Sequence, residues 1–179
     1  MNGPRIRTDI VDVYVFRQRL PKEGPSVEFL QLRRREEPLA GSWQPVMGHV
    51  EAGETATDAA VRELREEIGL QAAGMECLGL WQLNGVHPFY MARGDAIVMS
   101  PRFAAQVRPE FEPRLCEEHD AWRWVAPEDV ETCFMWPGQR LAIQEVMREI
   151  VGAASRSREH LRLDVGQGEV RPGQSGPPL

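Results

Sequence analysis

The sequence predicts one α+β domain, a mixed α/β fold built around a β-sheet. Three observations carry that expectation. Segments rich in β-branched and aromatic residues alternate with helical periodicity in the order β-β-β-α-β-β-β-α. The chain has 179 residues, the size of a single domain, and 42% of them are hydrophobic, enough for one buried core. One segment, Thr55–Ile68, has both ends marked as a helix.

The elements follow in order. Thr8–Phe16 is a strand by composition, and Pro21, Gly24 and Pro25 supply turn chemistry after it. A second strand is expected from Val27 to Arg34, a loop over Glu37–Ser42, and a short apolar strand over Trp43–Met47. The helix follows, with Thr55 as its N-cap and Asp58 three residues on. Ala56, Ala59, Ala60, Leu64 and Ile68 fall on its apolar side, and Gly69 fits a left-handed stop. Strands are expected over 75–84 and 90–99, a polar Pro-containing loop over Ser100–Glu117, and a strand over Asp120–Val125. Pro137 opens a last amphipathic helix, Gly138–Val151. Residues 1–151 form the expected domain and 152–179 a C-terminal tail, largely flexible because half of 166–179 is Gly or Pro. Within that tail, Arg156–Val165 has the apolar spacing of a short helix that docks on the domain or on a second subunit.

Composition narrows the partners. Lys plus Arg is 21 and Asp plus Glu is 27, a formal net charge of −6. Such a chain is not expected to bind nucleic acid or an anionic membrane non-specifically, because its long-range field repels both. No apolar run is long enough for a transmembrane helix, and Met1–Arg7 lacks the apolar stretch of a secretory signal. Cys77, Cys116 and Cys133 are odd in number and contain no CxxC pair, which suits reduced thiols and a cytoplasmic location.

The chemistry concentrates between Gly48 and Leu70. Glu63, Glu66 and Glu67 sit at i, i+3 and i+4, so their carboxylates project from one helix face and repel one another. Hard oxygen donors so grouped suit Mg²⁺, with Mn²⁺ as an alternative, and such ions are shared with substrate phosphates. Arg62 lies four residues before Glu66, placed to hold a carboxylate. A solvated helix face with one salt bridge would explain the charges alone. The glycines Gly48 and Gly53 around Glu54 argue further, because they let backbone approach a ligand at a helix start.

This segment resembles the Nudix box, G-x5-E-x7-R-E-U-x-E-E-x-G-U with U aliphatic. Gly48, Glu54, Arg62, Glu63, Leu64, Glu66, Glu67, Gly69 and Leu70 fill its fixed positions. The resemblance implies an α/β/α sandwich around a mixed sheet and a hydrolase of a nucleoside diphosphate linked to another group. It implies that Glu66 and Glu67 bind metal, that Glu63 binds metal or activates water, and that the Gly48 carbonyl is a further ligand. Arg62 and Glu54 would organise the loop and helix.

Over residues 8–151 the chain is further similar to the bacterial dihydroneopterin triphosphate diphosphatases, also described as dATP pyrophosphohydrolases. The stretches that carry this are Arg34–Pro38, Trp43–Gly48, Glu118–Val125 and Trp136–Gln144. By that similarity Glu118 supplies a distal carboxylate over the metal, with its neighbour Glu117 as an alternative, and His119 is a structural hydrogen-bonder. Arg35 is placed to contact substrate, or else pairs with Glu36 or Glu37. Trp43 and Gln44 are placed to offer a stacking face and an amide to a planar ring. Trp81, Phe89 and Tyr90 are weaker stacking candidates, and Trp122 and Trp124 share a strand face.

The expected reaction is Mg²⁺-dependent attack of water on a phosphorus of a nucleotide or pterin triphosphate, giving a monophosphate and pyrophosphate. Glu63 or Glu118 receives the proton. ADP-ribose and diadenosine polyphosphate hydrolases of the family tend to carry a proline or tyrosine where Gly85 and Val86 stand; Pro88 and Tyr90 nearby keep both open. A non-catalytic binding module of the same fold is the rival, and the complete set of box glutamates distinguishes this chain from it. A homodimer is also left open.

Overall fold

Backbone pairing in the computed structural model, which describes residues 3–20, 26–152 and 155–165, starts with a short β1 (Arg5–Arg7) and a long β2 (Ile10–Arg19). Then come β3 (Ser26–Arg34), β4 (Trp43–Gln44), β5 (Val46–His49) and the helix α1 (Ala56–Ile68). β6 (Cys77–Gln82), β7 (Phe89–Met91), β8 (Ala96–Val98), β9 (Arg102–Val107) and β10 (His119–Val125) follow. Helices α2 (Val130–Cys133), α3 (Pro137–Glu145) and α4 (Arg158–Leu161) complete the order. The turn expected at Pro21–Pro25 and the Gly/Pro-rich segment 166–179 lie outside the described residues.

The main sheet runs β10-β3-β2-β9-β6, with β4 on β3 and β5 on β2. It is mixed: β9 is parallel to β2, whereas β3 and β5 are antiparallel to it. Strand alternation divides its side chains between two layers. Val11, Val13 and Val15 of β2 join Leu30, Leu32 and Phe103 beneath Leu64 and Ile68 of α1. Tyr14, Phe16, Phe29 and Trp81 face the other way, onto Val130, Phe134, Ile143 and Ile150. The result is an α/β/α sandwich. A smaller sheet, β1-β8-β7, lies beside it.

The helix ends read from sequence have physical counterparts. Thr55 Oγ1 accepts from the Asp58 backbone N–H at 3.2 Å, and the Asp58 carboxylate accepts from the Thr55 N–H at 3.0 Å. Gly69 takes φ = 71° and closes the last turn onto Arg65 and Leu64 carbonyls. The last predicted helix begins at Pro137 but changes character: Val146–Val151 winds in wider π turns, closed by the Gly152 N–H on the Met147 carbonyl. The expected strand over 90–99 is two strands around a tight turn at Ala92–Gly94.

One expectation is overturned. Ser100–Glu117 is not a continuous loop, because Arg102–Val107 forms β9, every residue of it buried between β2 and β6. A strand covered on both faces has no polar alternation to reveal it. Here two polar side chains also interrupt the apolar run. Arg102 lies 3.4 Å from Asp12 and donates to the Gly138 carbonyl at 2.9 Å, and Gln106 donates to Gln18 at 2.8 Å. Asp12 is buried, which raises its pKa against the pull of Arg102. Glu145, also buried, accepts from the Asn84 and Gly85 N–H groups and ties α3 to the loop after β6.

The segment after α3 docks on the sheet. The Leu163 N–H donates to the Leu80 carbonyl at 2.8 Å, and Arg162 pairs with Trp81, so the chain covers the β6 edge. Leu161 enters the α3 layer while Leu163 and Val165 enter the α1 layer, a clasp over both. Arg158 and Arg162 lie against the buried Trp81 ring at 5.4 and 5.6 Å. Leu161→Ala is therefore expected to destabilise the protein by about 2–5 kcal/mol, as for other buried leucines. A thermal melt checks this against Leu20→Ala, which alters an 88% exposed side chain and should leave the melting temperature unchanged.

Candidate active site

The site is assembled where α1, the β4–β5 strand and the loop before β10 meet. Ala59, Ala60, Leu64 and Ile68 are fully buried and fix the rotation of α1 on the sheet. That rotation sends Glu63 and Glu67 inward to the end of β5 and leaves Glu66 outward. Gly48 lies on β5 opposite Val11, and a Cβ there would collide with the Glu63 carboxylate. Only glycine lets this backbone come so close.

Arg62 organises the acidic groups. Its Nε donates to Glu54 Oε1 at 2.8 Å and its Nη1 to Glu63 Oε1 at 2.7 Å and Glu66 Oε2 at 3.1 Å. Nη2 donates to the His49 carbonyl at 2.7 Å and Glu54 Oε2 at 3.1 Å. The Arg62 guanidinium holds the Glu54 carboxyl below the usual range. Glu66 is shared between Arg62 and Arg65.

Glu63 and Glu67 are pushed the other way. Burial raises the Glu63 pKa, with Arg62 opposing. Glu67 is raised well above the usual carboxylate range by burial first and by the Glu63 charge second; hydrogen bonding from the Met47 backbone and the charge of Arg34 oppose. The Glu118 charge raises both, so this exposed carboxylate stands near them across the site. Its neighbour Glu117 is exposed as well.

Glu67 Oε2 is buried and has no hydrogen-bond partner among the described residues. A charged oxygen in that state is costly unless a cation meets it. With the Gly48 backbone and Glu63 alongside, the donors are all hard oxygens, a set that fits Mg²⁺ or Mn²⁺. Among the described residues no three His, Cys, Asp or Glu side chains form a ready cage for a metal. Glu66 is instead drawn to the two arginines.

The remaining residues fall in three places. Arg35 is exposed, its charge acting on Asp120, and its backbone N–H donates to the Glu118 carbonyl at 2.8 Å. The preceding Arg34 is the arginine whose charge reaches Glu67 and His119. Strand alternation would have identified it, since Leu30, Leu32 and Arg34 share the face toward α1. Trp43 pairs with Arg33 and is half-buried on the opposite face, with the Arg123 guanidinium 4.2 Å from its ring. Gln44 is buried and its Nε2 lies 3.2 Å from His119 Nε2. Trp81 is fully buried, whereas Phe89 and Tyr90 are exposed on the small sheet.

Comparison with known proteins agrees with this geometry. The NUDIX domain family model matches residues 7–146. The chain is 30% identical over 135 residues to the bis(5'-nucleosyl)-tetraphosphatase [asymmetrical] of Mus musculus, covering 73% of this chain and 87% of that protein. It is 40% identical over 136 residues to an octanoyltransferase of Myxococcus xanthus, covering 74% of this chain but 33% of that longer protein. The chain thus spans about a third of that relative's length. Among solved structures, the E. coli dihydroneopterin triphosphate pyrophosphohydrolase superposes with a TM-score of 0.62 at 24% identity, covering 80% of this chain and 96% of that one, a likeness of fold. Fold, acidic helix and family match converge, and the chain belongs to the Nudix family, whose general chemistry is hydrolysis of a nucleotide diphosphate linkage.

Proposed function

We propose that this protein is a Mg²⁺-dependent pyrophosphohydrolase of a nucleoside polyphosphate. The observation that carries the reading is the unpartnered, buried Glu67 Oε2 beside Glu63 and the close-approaching Gly48 backbone. Glu63, Glu67 and the Gly48 carbonyl would hold the cation, and Glu66 and Glu118 would be its further carboxylate ligands. A bound Mg²⁺ supplies charge neutralisation of the phosphates and acidification of water. Arg34, facing the acidic group, receives a phosphate oxygen. The exposed Arg35 sits beside it as a second phosphate contact.

Water attacks one phosphorus of the diphosphate bridge, and the bridging P–O bond breaks toward the leaving phosphate. Glu63 is already committed to Arg62 at 2.7 Å, whereas Glu118 stands exposed at the mouth. Glu118 is therefore assigned the proton, as the more accessible carboxylate of the two.

For the substrate, a nucleoside triphosphate or the related dihydroneopterin triphosphate is the leading reading, giving a monophosphate and pyrophosphate. A second reading, a dinucleoside tetraphosphate, is favoured by the 30% identity to the mouse tetraphosphatase over 87% of its length. Dihydroneopterin triphosphate, dATP, 8-oxo-dGTP, ADP-ribose and diadenosine tetraphosphate assayed side by side under Mg²⁺ decide between them. Hydrolysis of at least one is expected; tight binding with no turnover of any would identify a binding module.

Glu67→Gln is expected to lower turnover by about 100-fold or more, since a metal-binding charge is lost. The same change should stabilise the metal-free protein. The Glu67 pKa is raised on folding, so its contribution to stability is present at low pH and lost as pH rises through the folded value. The gain in melting temperature from Glu67→Gln should therefore be larger at pH 8 than at pH 5. Mg²⁺ should raise the melting temperature of the parent protein by mass action. That rise should vanish when Glu63, Glu66 and Glu67 are replaced together by Gln; its survival would place the metal elsewhere.

A further inference from the structure

Two of the groups proposed to meet the cation do not come from α1. Gly48 is the last but one residue of β5, and Glu118 ends the loop that leads into β10. Arg62 reaches the first segment at the His49 carbonyl, and none of its hydrogen bonds goes to the loop before β10. What joins them is a pair of buried polar side chains. Gln44, four residues before Gly48, is 4% exposed, and His119, the residue after Glu118, is also 4% exposed. Their Nε2 atoms are 3.2 Å apart. On the other side of the ring, His119 Nδ1 lies 3.7 Å from Cys116 Sγ.

With the Gln44 amide nitrogen toward the ring, Nε2 of His119 is the acceptor and the ring proton sits on Nδ1, 3.7 Å from the Cys116 sulfur; with the amide turned over, Nε2–H donates and Nδ1 accepts from the Cys116 thiol. Both ring nitrogens are then satisfied inside the protein. The backbone around the pair is fixed as well. The His119 N–H donates to the Cys116 carbonyl, and the Arg35 N–H takes the Glu118 carbonyl at 2.8 Å. The register of β10 on β3 slips between His119 and Ala121. Glu118 is exposed directly before the buried His119.

We infer that Gln44 and His119 form a positioning pair that sets the distance between the Gly48 carbonyl and the Glu118 carboxylate. The inference rests on the proposed hydrolase reading and names a device for it. Gln44, expected from the sequence to meet the substrate, acts instead through His119. A loop carboxylate anchored by one buried neighbour loses its placement when that anchor is cut, and misplacement by about 1 Å costs about 100-fold in rate.

The test uses the full chain with Gln44→Ala, His119→Ala and the double variant, read in two ways. Mn²⁺ binding to the substrate-free protein, followed by electron paramagnetic resonance, should weaken for each single variant by a factor close to that of Glu118→Gln. With the best substrate of the panel, kcat should fall at least tenfold while KM changes less than threefold. The double variant should be no worse than either single within about threefold, because both cut one link. His119→Gln, which keeps a hydrogen-bonding group toward Gln44, should recover part of the lost kcat, and it serves where His119→Ala does not fold. Mn²⁺ affinity and kcat both within twofold of the parent in Gln44→Ala and His119→Gln would overturn the pair. Multiplicative losses in the double variant would overturn it too. If the parent turns over no substrate, the hydrolase reading fails by itself, while the Mn²⁺ titration still decides whether the pair positions Glu118.

Discussion

The site depends on one guanidinium. Arg62 spends its donors on Glu54, Glu63, Glu66 and the His49 carbonyl, so one planar group touches the loop, the strand end and the helix together. A lysine carries the charge but not the fork that reaches these acceptors at once. Without it, the Glu63, Glu66 and Glu67 carboxylates of α1 would repel each other next to Glu54 on the loop. Arg62 removes that conflict for Glu54, Glu63 and Glu66 and leaves it for Glu67. The helix is thus stable enough to fold while one buried oxygen stays unmatched.

The rest of the sandwich serves that arrangement. α1 is held by small and aliphatic residues, Ala59, Ala60, Leu64 and Ile68, which let it lie close to β2 and β5. Close packing leaves the helix little freedom to rotate, so the inward direction of Glu63 and Glu67 is set by the apolar stripe. The second layer has its own polar tie. Arg102 reaches Asp12 and the start of α3, and Gly138 is tolerated there because a Cβ would crowd the Arg102 guanidinium.

How much of this was legible in the sequence varies with the kind of signal. The helix was readable at both ends because Thr55, Asp58 and Gly69 act through local geometry. The charge cluster was readable because i, i+3 and i+4 are neighbours on any helix. β9 was hidden because Arg102 and Gln106 find partners 90 and 88 residues away in Asp12 and Gln18, contacts no local pattern encodes. Arg34 was legible by the alternation that runs from Leu30 and Leu32, whereas Arg35 lies one residue past the end of β3. The faces of Trp43 and Gln44 follow from the pairing of β4 with β3, which joins separate parts of the chain. The docked segment was readable as an apolar spacing but not as a clasp, since its target, the β6 edge, is assembled from a distant part of the chain.

That clasp has a consequence for the protein as it is made. β6 ends at Gln82, and the residues that cover its edge begin with Leu161. A ribosome adding about 5–20 residues per second takes several seconds to pass from one to the other. During that interval the growing chain carries β6 with an uncovered row of backbone donors and acceptors, the kind of edge that invites pairing with a neighbouring nascent chain. Folding to the covered state waits on nearly the last of the described residues to be synthesised.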